Sequence, residues 1–167
     1  MKEIMNKDQL TRTLKRMTHE IIEKYNHLED VVLLGVLQKG YPLAQIIKQN
    51  LKDFASIDVA CYPLDIRAYR DDLNQDVKKI DQGFNVEGKT VVLIDDVLYT
   101  GRTARAALDA INFHGRPNKI SLAILVDRGH RELPIRADFI GKNIPTAFDE
   151  KVIVDLKKMS VVIDRTY

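Results

Sequence analysis

The chain has 167 residues, the length of one ordinary domain with room for a sizeable core, and nothing in it calls for a second domain. Lys and Arg number 26 against 24 Asp and Glu, so the net charge of +2 announces no nucleic-acid binder and any basic surface must come from clustering. The single Cys61 excludes an internal disulfide and a multi-cysteine zinc site; with no charged-then-apolar leader and no apolar run near roughly 18 residues, a cytoplasmic protein without a membrane partner is expected.

The first predicted element is a helix over 7–26, opened by Asn6 and Gln9 placed as a capping box. Leu10, Leu14, Met17, Ile21, Tyr25 and Leu28 recur at steps of three and four and form its buried stripe. Arg12, Lys15, Arg16 and His19 fall on the other side, where solvation alone also explains them. A strand over 31–34 runs through Gly35-Val36-Leu37-Gln38-Lys39-Gly40 into a helix over 41–51, a layout whose free backbone amides suit an anion. A strand is read over 57–68, followed by Arg70-Asp71-Asp72 and then about a dozen polar residues without period, the length of a lid or a mobile hairpin. Gly83-Phe84-Asn85-Val86-Glu87-Gly88-Lys89-Thr90 matches the P-loop pattern letter for letter, but that motif needs a strand before it and a helix after it. Here a polar loop precedes and the strongest strand follows, so Gly88 is read as the turn into that strand.

Val91-Val92-Leu93-Ile94 is that strand, apolar throughout as a parallel strand covered on both faces should be, and it is expected to end at Asp95-Asp96. The helix formers of 104–111 make Val97-Leu98-Tyr99-Thr100-Gly101-Arg102-Thr103 the connection, with the turn at 100–103. His114-Gly115-Arg116-Pro117 ends the helix, and 120–126 is a further buried strand with Asp127-Arg128-Gly129-His130 at its carboxyl end. Phe139-Ile140-Gly141 reads as a short strand, 151–156 as a last one, with 161–163 pairing at an edge. Alternating strands and helices predict an α/β fold, a mostly parallel twisted sheet with helices on both faces and a small hood over its carboxyl edge.

Free amides and the helix dipole at 100–103, with the hydroxyls of Thr100 and Thr103, make an anion site, while Asp95 and Asp96 can accept hydrogen bonds from vicinal hydroxyls. A sugar phosphate fits both; a solvated strand end followed by an N-cap is the plainer alternative for the Asp pair alone.

The apolar strand, Asp-Asp and Thr-Gly-Arg-Thr together resemble the phosphoribosyl-pyrophosphate (PRPP) signature of type I phosphoribosyltransferases. The stretch from Val126-Asp127-Arg128-Gly129-His130-Arg131-Glu132-Leu133-Pro134 through Ile140-Gly141-Lys142-Asn143-Ile144-Pro145-Thr146 resembles the PyrR family of pyrimidine-operon attenuation regulators, which are also uracil phosphoribosyltransferases. The resemblance covers nearly the whole chain. It implies the type I phosphoribosyltransferase fold, PRPP and uracil as substrates, UMP as product and magnesium arriving with the substrate rather than in an all-protein site. It implies catalytic roles for Asp95, Asp96 and Arg70, with Asp96 assisting proton handling. Substrate contacts are implied at Gln38-Lys39-Gly40, along 97–103, at Arg128 near PRPP and at the backbone of Val152 beside the uracil. It also implies binding of a leader-RNA hairpin of the pyrimidine operon, strengthened by UMP, by a homodimer or higher oligomer. The RNA surface would join Arg12, Arg16 and His19 to His130, Arg131, Arg136 and Lys142. The chain departs from the family in having Gln38-Lys39-Gly40 where Thr-Arg-Gly is usual, which keeps a charge but loses arginine's fork, and Lys15 where threonine is common. A plain phosphoribosyltransferase and an RNA regulator of weak enzymatic activity are the alternatives; a purine or orotate as the base is disfavoured by 127–143.

Overall fold

The apolar runs pair side by side as parallel strands. The structure, a computed structural model, describes residues 1–71 and 76–165. Strands β2 (Val31–Val36), β3 (Ala60–Leu64), β4 (Thr90–Leu98), β5 (Lys119–Asp127) and β6 (Phe139–Asn143) form one sheet in the order β3-β2-β4-β5-β6, with every neighbouring pair parallel. Helices α1 (Lys7–Lys24) and α2 (Gly40–Ala55) cover one face and α3 (Arg102–Phe113) the other. Leu33, Val92 and Ile94 enter the core under α1 and α2, while Val32, Leu34, Val91 and Leu93 enter the core under α3. Two buried faces explain why these strands read as unbroken apolar runs.

The capping box forms, with Gln9 N–H donating to Asn6 Oδ1 and Asn6 N–H to Gln9 Oε1, both at 2.9 Å. Leu10, Leu14, Met17 and Ile21 are at most 1% exposed and form the seam of α1. The helix stops at Lys24, short of Asn26, because Tyr25 is extended; Leu28 belongs to a separate single turn yet still packs on the same core. Cys61 is partly buried against that core, where desolvation pushes its thiol up to about 11.

Strand β3 is shorter than 57–68. Ser56, left-handed at φ 52°, ends α2, and Asp65 turns the chain by accepting from Arg67 N at 3.0 Å. Strand β4 does not stop at its carboxylates: β5 continues to offer ladder partners, Val97 to Val126 and Leu98 to Asp127, so Asp95 and Asp96 lie inside the strand. The P-loop look-alike has no helix after it. Phe84 and Val86 are buried under the α3 face, Phe84 stacks on His114 at 4.2 Å, and Gly88 (φ 69°) turns the chain into β4. Of the stretch from Arg70 onward that the sequence reads as a lid or mobile hairpin, residues 72–75 lie outside the described residues.

A second sheet, of which the sequence pattern announces only the later strands, pairs β1 (Lys2–Met5), β8 (Ser160–Arg165) and β7 (Glu150–Asp155), antiparallel in the order β1-β8-β7. Its segment 144–149 springs from the carboxyl end of the main sheet, where Ile144 N donates to Asp127 O at 2.9 Å, making this sheet the hood. Helix α2 carries the chain from β2 outward to β3, whereas α3 carries it from β4 the other way to β5. The carboxyl ends of β2 and β4 therefore flank the switch point at which open α/β sheets hold ligands. No described helix is long and apolar enough to cross a membrane.

Candidate active site

At the switch point a cleft of about 290 Å³ is lined by Arg70, Asp95, Tyr99 and the turn 100–103. Gly101 takes a left-handed φ of 96°, which favours glycine, and its carbonyl accepts Arg105 N at 3.0 Å to begin α3. The turn is braced from outside: Thr100 O accepts from Glu132 N at 2.9 Å and Leu133 N at 3.1 Å. Thr103 Oγ1 accepts from Arg70 Nη1 at 3.0 Å, which brings together two residues that the sequence places in separate loops. Arg102 lines the cleft, and its guanidinium is paired with Glu132 Oε1 (3.1 Å) and Asp71 Oδ2 (3.5 Å).

Asp95 faces the cleft, with Oδ1 accepting from Asp96 N at 2.8 Å. Burial pushes its carboxyl well above the ordinary range, the charge of Asp96 adds to the push, and Arg70 offsets it only in part. Asp96 does not line that cleft; consecutive strand residues face opposite ways, and its Oδ1 accepts from Val97 N at 2.9 Å. Among the described residues, no cluster of three or more His, Cys, Asp or Glu side chains could hold a metal ion.

The β2 loop comes up against this pair. A Cβ on Gly40 would stand 2.4 Å from Ile94 O and 3.3 Å from Asp95 Oδ1, so only glycine lets α2 start there. Gln38 and Lys39 are exposed beside it, and the Leu37–Gln38 peptide bond is cis. Asp155 of the hood, whose carboxyl is lowered chiefly by the N–H of Lys158, also feels Lys39, which places that lysine near the hood.

Arg128 is buried at 7% exposure, with its guanidinium carbon 3.9 Å from the Tyr99 ring centre. It donates to Thr146 Oγ1 at 3.0 Å and to Ala147 O at 3.3 Å, so it clasps the hood to the end of β5. His130 meets the Thr146 carbonyl through Nε2 and lies against Phe148 with ring centres 4.1 Å apart and planes tilted by 43°. The sequence assigns no site role to Thr146, although it closes the stretch that resembles the PyrR family, and none to Phe148, which is 78% exposed; both lie in an irregular segment without period. The Val152 side chain is buried in the core, and its strand β7 forms one edge of the hood sheet.

The seven basic residues do not share one surface of one subunit. Arg12, Arg16 and Lys142 line a cleft between α1 and β6. Arg16 is committed there, donating to Ile140 O (3.2 Å), Gly141 O (2.6 Å) and Glu20 (2.5 Å). His19 stacks on Phe54 at 4.5 Å. His130 belongs to the hood contact, Arg131 donates to Ile135 O at 3.4 Å, and Arg136 lines a cavity with Ala104 and Leu108 of α3. The segment between β5 and β6 packs Ile135 and Ala137 against the α3 core, while α1 sits on the other face, so the sheet edge separates the two groups.

Residues 1–155 match the family model described as phosphoribosyl transferase domain. "Bifunctional protein PyrR" of Ligilactobacillus salivarius is 55% identical over 160 residues, covering 92% of this chain and 90% of that protein. The protein of the same name from Chloroflexus aurantiacus is 52% identical over 162 residues, covering 94% and 89%. Among solved structures, the hypoxanthine phosphoribosyltransferase of Trypanosoma cruzi shares the fold at a TM-score of 0.77 and 21% identity, covering 100% of this chain and 98% of that one. The switch-point cleft and these matches agree: the chain belongs to the phosphoribosyl transferase domain family and, within it, to the PyrR proteins.

Proposed function

We propose that the chain, as one phosphoribosyltransferase domain, transfers the phosphoribosyl group of PRPP to uracil, giving UMP and pyrophosphate. We further propose that its UMP-bound homodimer or higher oligomer binds a leader-RNA hairpin of the pyrimidine operon and so attenuates transcription. The observation that carries the enzymatic reading is the cleft itself, with a hydroxyl- and amide-lined helix start at 100–103 facing the carboxyl of Asp95. Relatives named bifunctional support the second role.

In this reading the bond from the anomeric carbon to the pyrophosphate oxygen breaks, its electron pair leaving with pyrophosphate, and a ring nitrogen of uracil bonds to the same carbon and loses its proton. The carbon passes through an oxocarbenium-like state. Asp95, whose carboxyl burial and Asp96 raise and Arg70 only partly lowers, faces the developing positive charge and stabilises it. Asp96, outside the lining of the cleft but next to Asp95, takes a ribose hydroxyl of the seated substrate and assists the proton. The turn holds the 5′-phosphate, and Gln38 and Lys39 stand at the leaving pyrophosphate. Arg128 and the hood segment, with the Val152 backbone, exclude water above the base. Magnesium fits the donor set, one or two carboxylates with substrate oxygens and waters; Asp95 and Asp96 would hold it through the substrate, and it would supply charge to neutralise pyrophosphate.

The test offers the purified protein PRPP and magnesium with uracil, orotate and hypoxanthine in turn. UMP from uracil is expected, and Asp96→Asn should fold normally yet lose about 10²–10³-fold in turnover. Undiminished transfer by that variant, or preference for another base, refutes the reading. A plain phosphoribosyltransferase is the second reading, favoured by the separation of Arg136 from Arg12 and Lys142.

A further inference from the structure

Resting on the substrate reading above, we propose that Asp71 is a positioning residue that fixes Arg70 over the turn 100–103, and that Arg70 there serves as a ligand of the phosphate monoester common to PRPP and UMP. Arg102 and Arg105 lie three residues apart on the first turn of α3, so their side chains share a face. Asp71 Oδ2 stands between them, 3.1 Å from Arg105 Nη1 and 3.5 Å from Arg102 Nη1, and Glu132 Oε1 accepts Arg102 Nε at 3.1 Å. Two carboxylates thus engage the charge of both helix arginines outside the turn. The arginine of the Thr-Gly-Arg-Thr motif thus has its charge engaged by two carboxylates even though the residue lines the cleft.

Arg70 runs the other way. It lines the cleft with Thr100, Gly101 and Thr103, and its Nη1 donates to Thr103 Oγ1. A hydroxyl that accepts from a guanidinium has its own hydrogen left to donate, so this contact aims the Thr103 O–H at an anion seated on the start of α3. Adjacent Cα atoms are held about 3.8 Å apart, so anchoring Asp71 fixes the origin of the Arg70 side chain within one residue. Each exposed ion pair is worth little alone, but one carboxylate shared by two helix-borne arginines holds its place at a smaller cost in side-chain entropy. Arg70 is therefore placed to read the monoester, which both PRPP and UMP carry, rather than the pyrophosphate, which only PRPP carries.

Calorimetric titration of the full chain with ribose 5-phosphate, UMP, pyrophosphate and uridine tests this. Arg70→Ala should weaken ribose 5-phosphate and UMP by between about tenfold and about a hundredfold, the loss of a charged hydrogen bond, and leave uridine unchanged. Asp71→Ala should weaken the same two ligands by about two- to fivefold, Asp71→Glu should recover part of that loss, and Asp71→Ala added to Arg70→Ala should cost nothing more. In turnover, Asp71→Ala should raise KM for PRPP with kcat nearly unchanged. The proposal is overturned if Arg70→Ala weakens pyrophosphate while sparing ribose 5-phosphate and UMP, or if the Asp71 and Arg70 losses simply add. It is equally overturned if the wild-type chain takes no phosphate monoester. Arg70-dependent binding of ribose 5-phosphate by a protein that transfers nothing to uracil would support it and sink the enzymatic reading alone.

Discussion

Asp95 is a carboxyl placed where the ligand-free fold works against its charge. Its folded-state value lies above the ordinary one, first through burial and then through Asp96. Between those two values the folded chain holds the proton that the unfolded chain has released, so stability falls as pH rises through that window and the cost is fully present above it. Asp95→Asn, neutral at every pH, removes the cost. The ligand-free variant should melt about 2–4 °C above wild type at pH 8, the shift that roughly 1 kcal/mol gives a domain of this size, with the gap closing toward pH 4. Thermal scans at both pH values check this, and a gap that stays constant or reverses counts against the assignment. A more stable variant without transfer activity is the usual exchange at a site built for a cationic reaction centre. At this scale the sequence is informative wherever chemistry is local: Asn6 and Gln9 name their own partners, and Thr-Gly-Arg-Thr names its turn. The pairing of Arg102 is hidden, because its partners Asp71 and Glu132 lie about thirty residues away in either direction and no local pattern ties them to it.

Among the elements, the start of α2 is where packing and site depend on one atom. At Gly40 an added methyl would meet the Ile94 carbonyl at 2.4 Å and the Asp95 Cα at 3.1 Å, backbone that cannot swing aside, so the helix itself would have to lift off β4. Gly40→Ala should cost about 1–3 kcal/mol by urea unfolding at unchanged m and should raise KM for PRPP. Gly88→Ala is the control: its φ of 69° carries a conformational cost, but nothing lies within 4 Å of the added methyl, so the site should be untouched. Equal KM for PRPP in the two variants would show that the approach of α2 to β4 does not shape the cleft. The parallel strands are legible in the sequence because their apolar runs are long and covered on both faces. Strand β1 is not, since its four residues have only Met5 buried and are fixed by β8 at the far end of the chain. The end of β4 is misplaced by sequence reading because two charges look like a boundary, whereas the ladder to β5 runs through them.

Over the whole molecule, a net charge of +2 conceals a segregation that only the fold makes visible. Arg12 and Lys142 share a cleft on the α1 side of the sheet edge, and Arg136 sits on the α3 side, so an RNA surface using both must span the edge or draw one half from a second copy. Arg16 is a poor probe of that surface. Its guanidinium is committed to two backbone carbonyls and Glu20, and its removal would loosen α1 from β6 whether or not RNA binds. Lys142 is exposed at the rim of the same cleft, so Lys142→Ala separates the charge from the fold. With a leader-RNA hairpin and UMP, this variant should weaken binding by up to about tenfold at moderate salt and lower the slope of log K against log salt by about one, since one phosphate fewer is neutralised. Its melting temperature and uracil transfer should match wild type. Arg136→Ala should lower the slope in the same way only if the opposite side of the sheet edge also reaches the RNA. Gel-shift titrations at several salt concentrations decide it: an unchanged slope for Lys142→Ala takes the α1 cleft out of the RNA surface, and no salt-sensitive complex with or without UMP leaves a phosphoribosyltransferase alone.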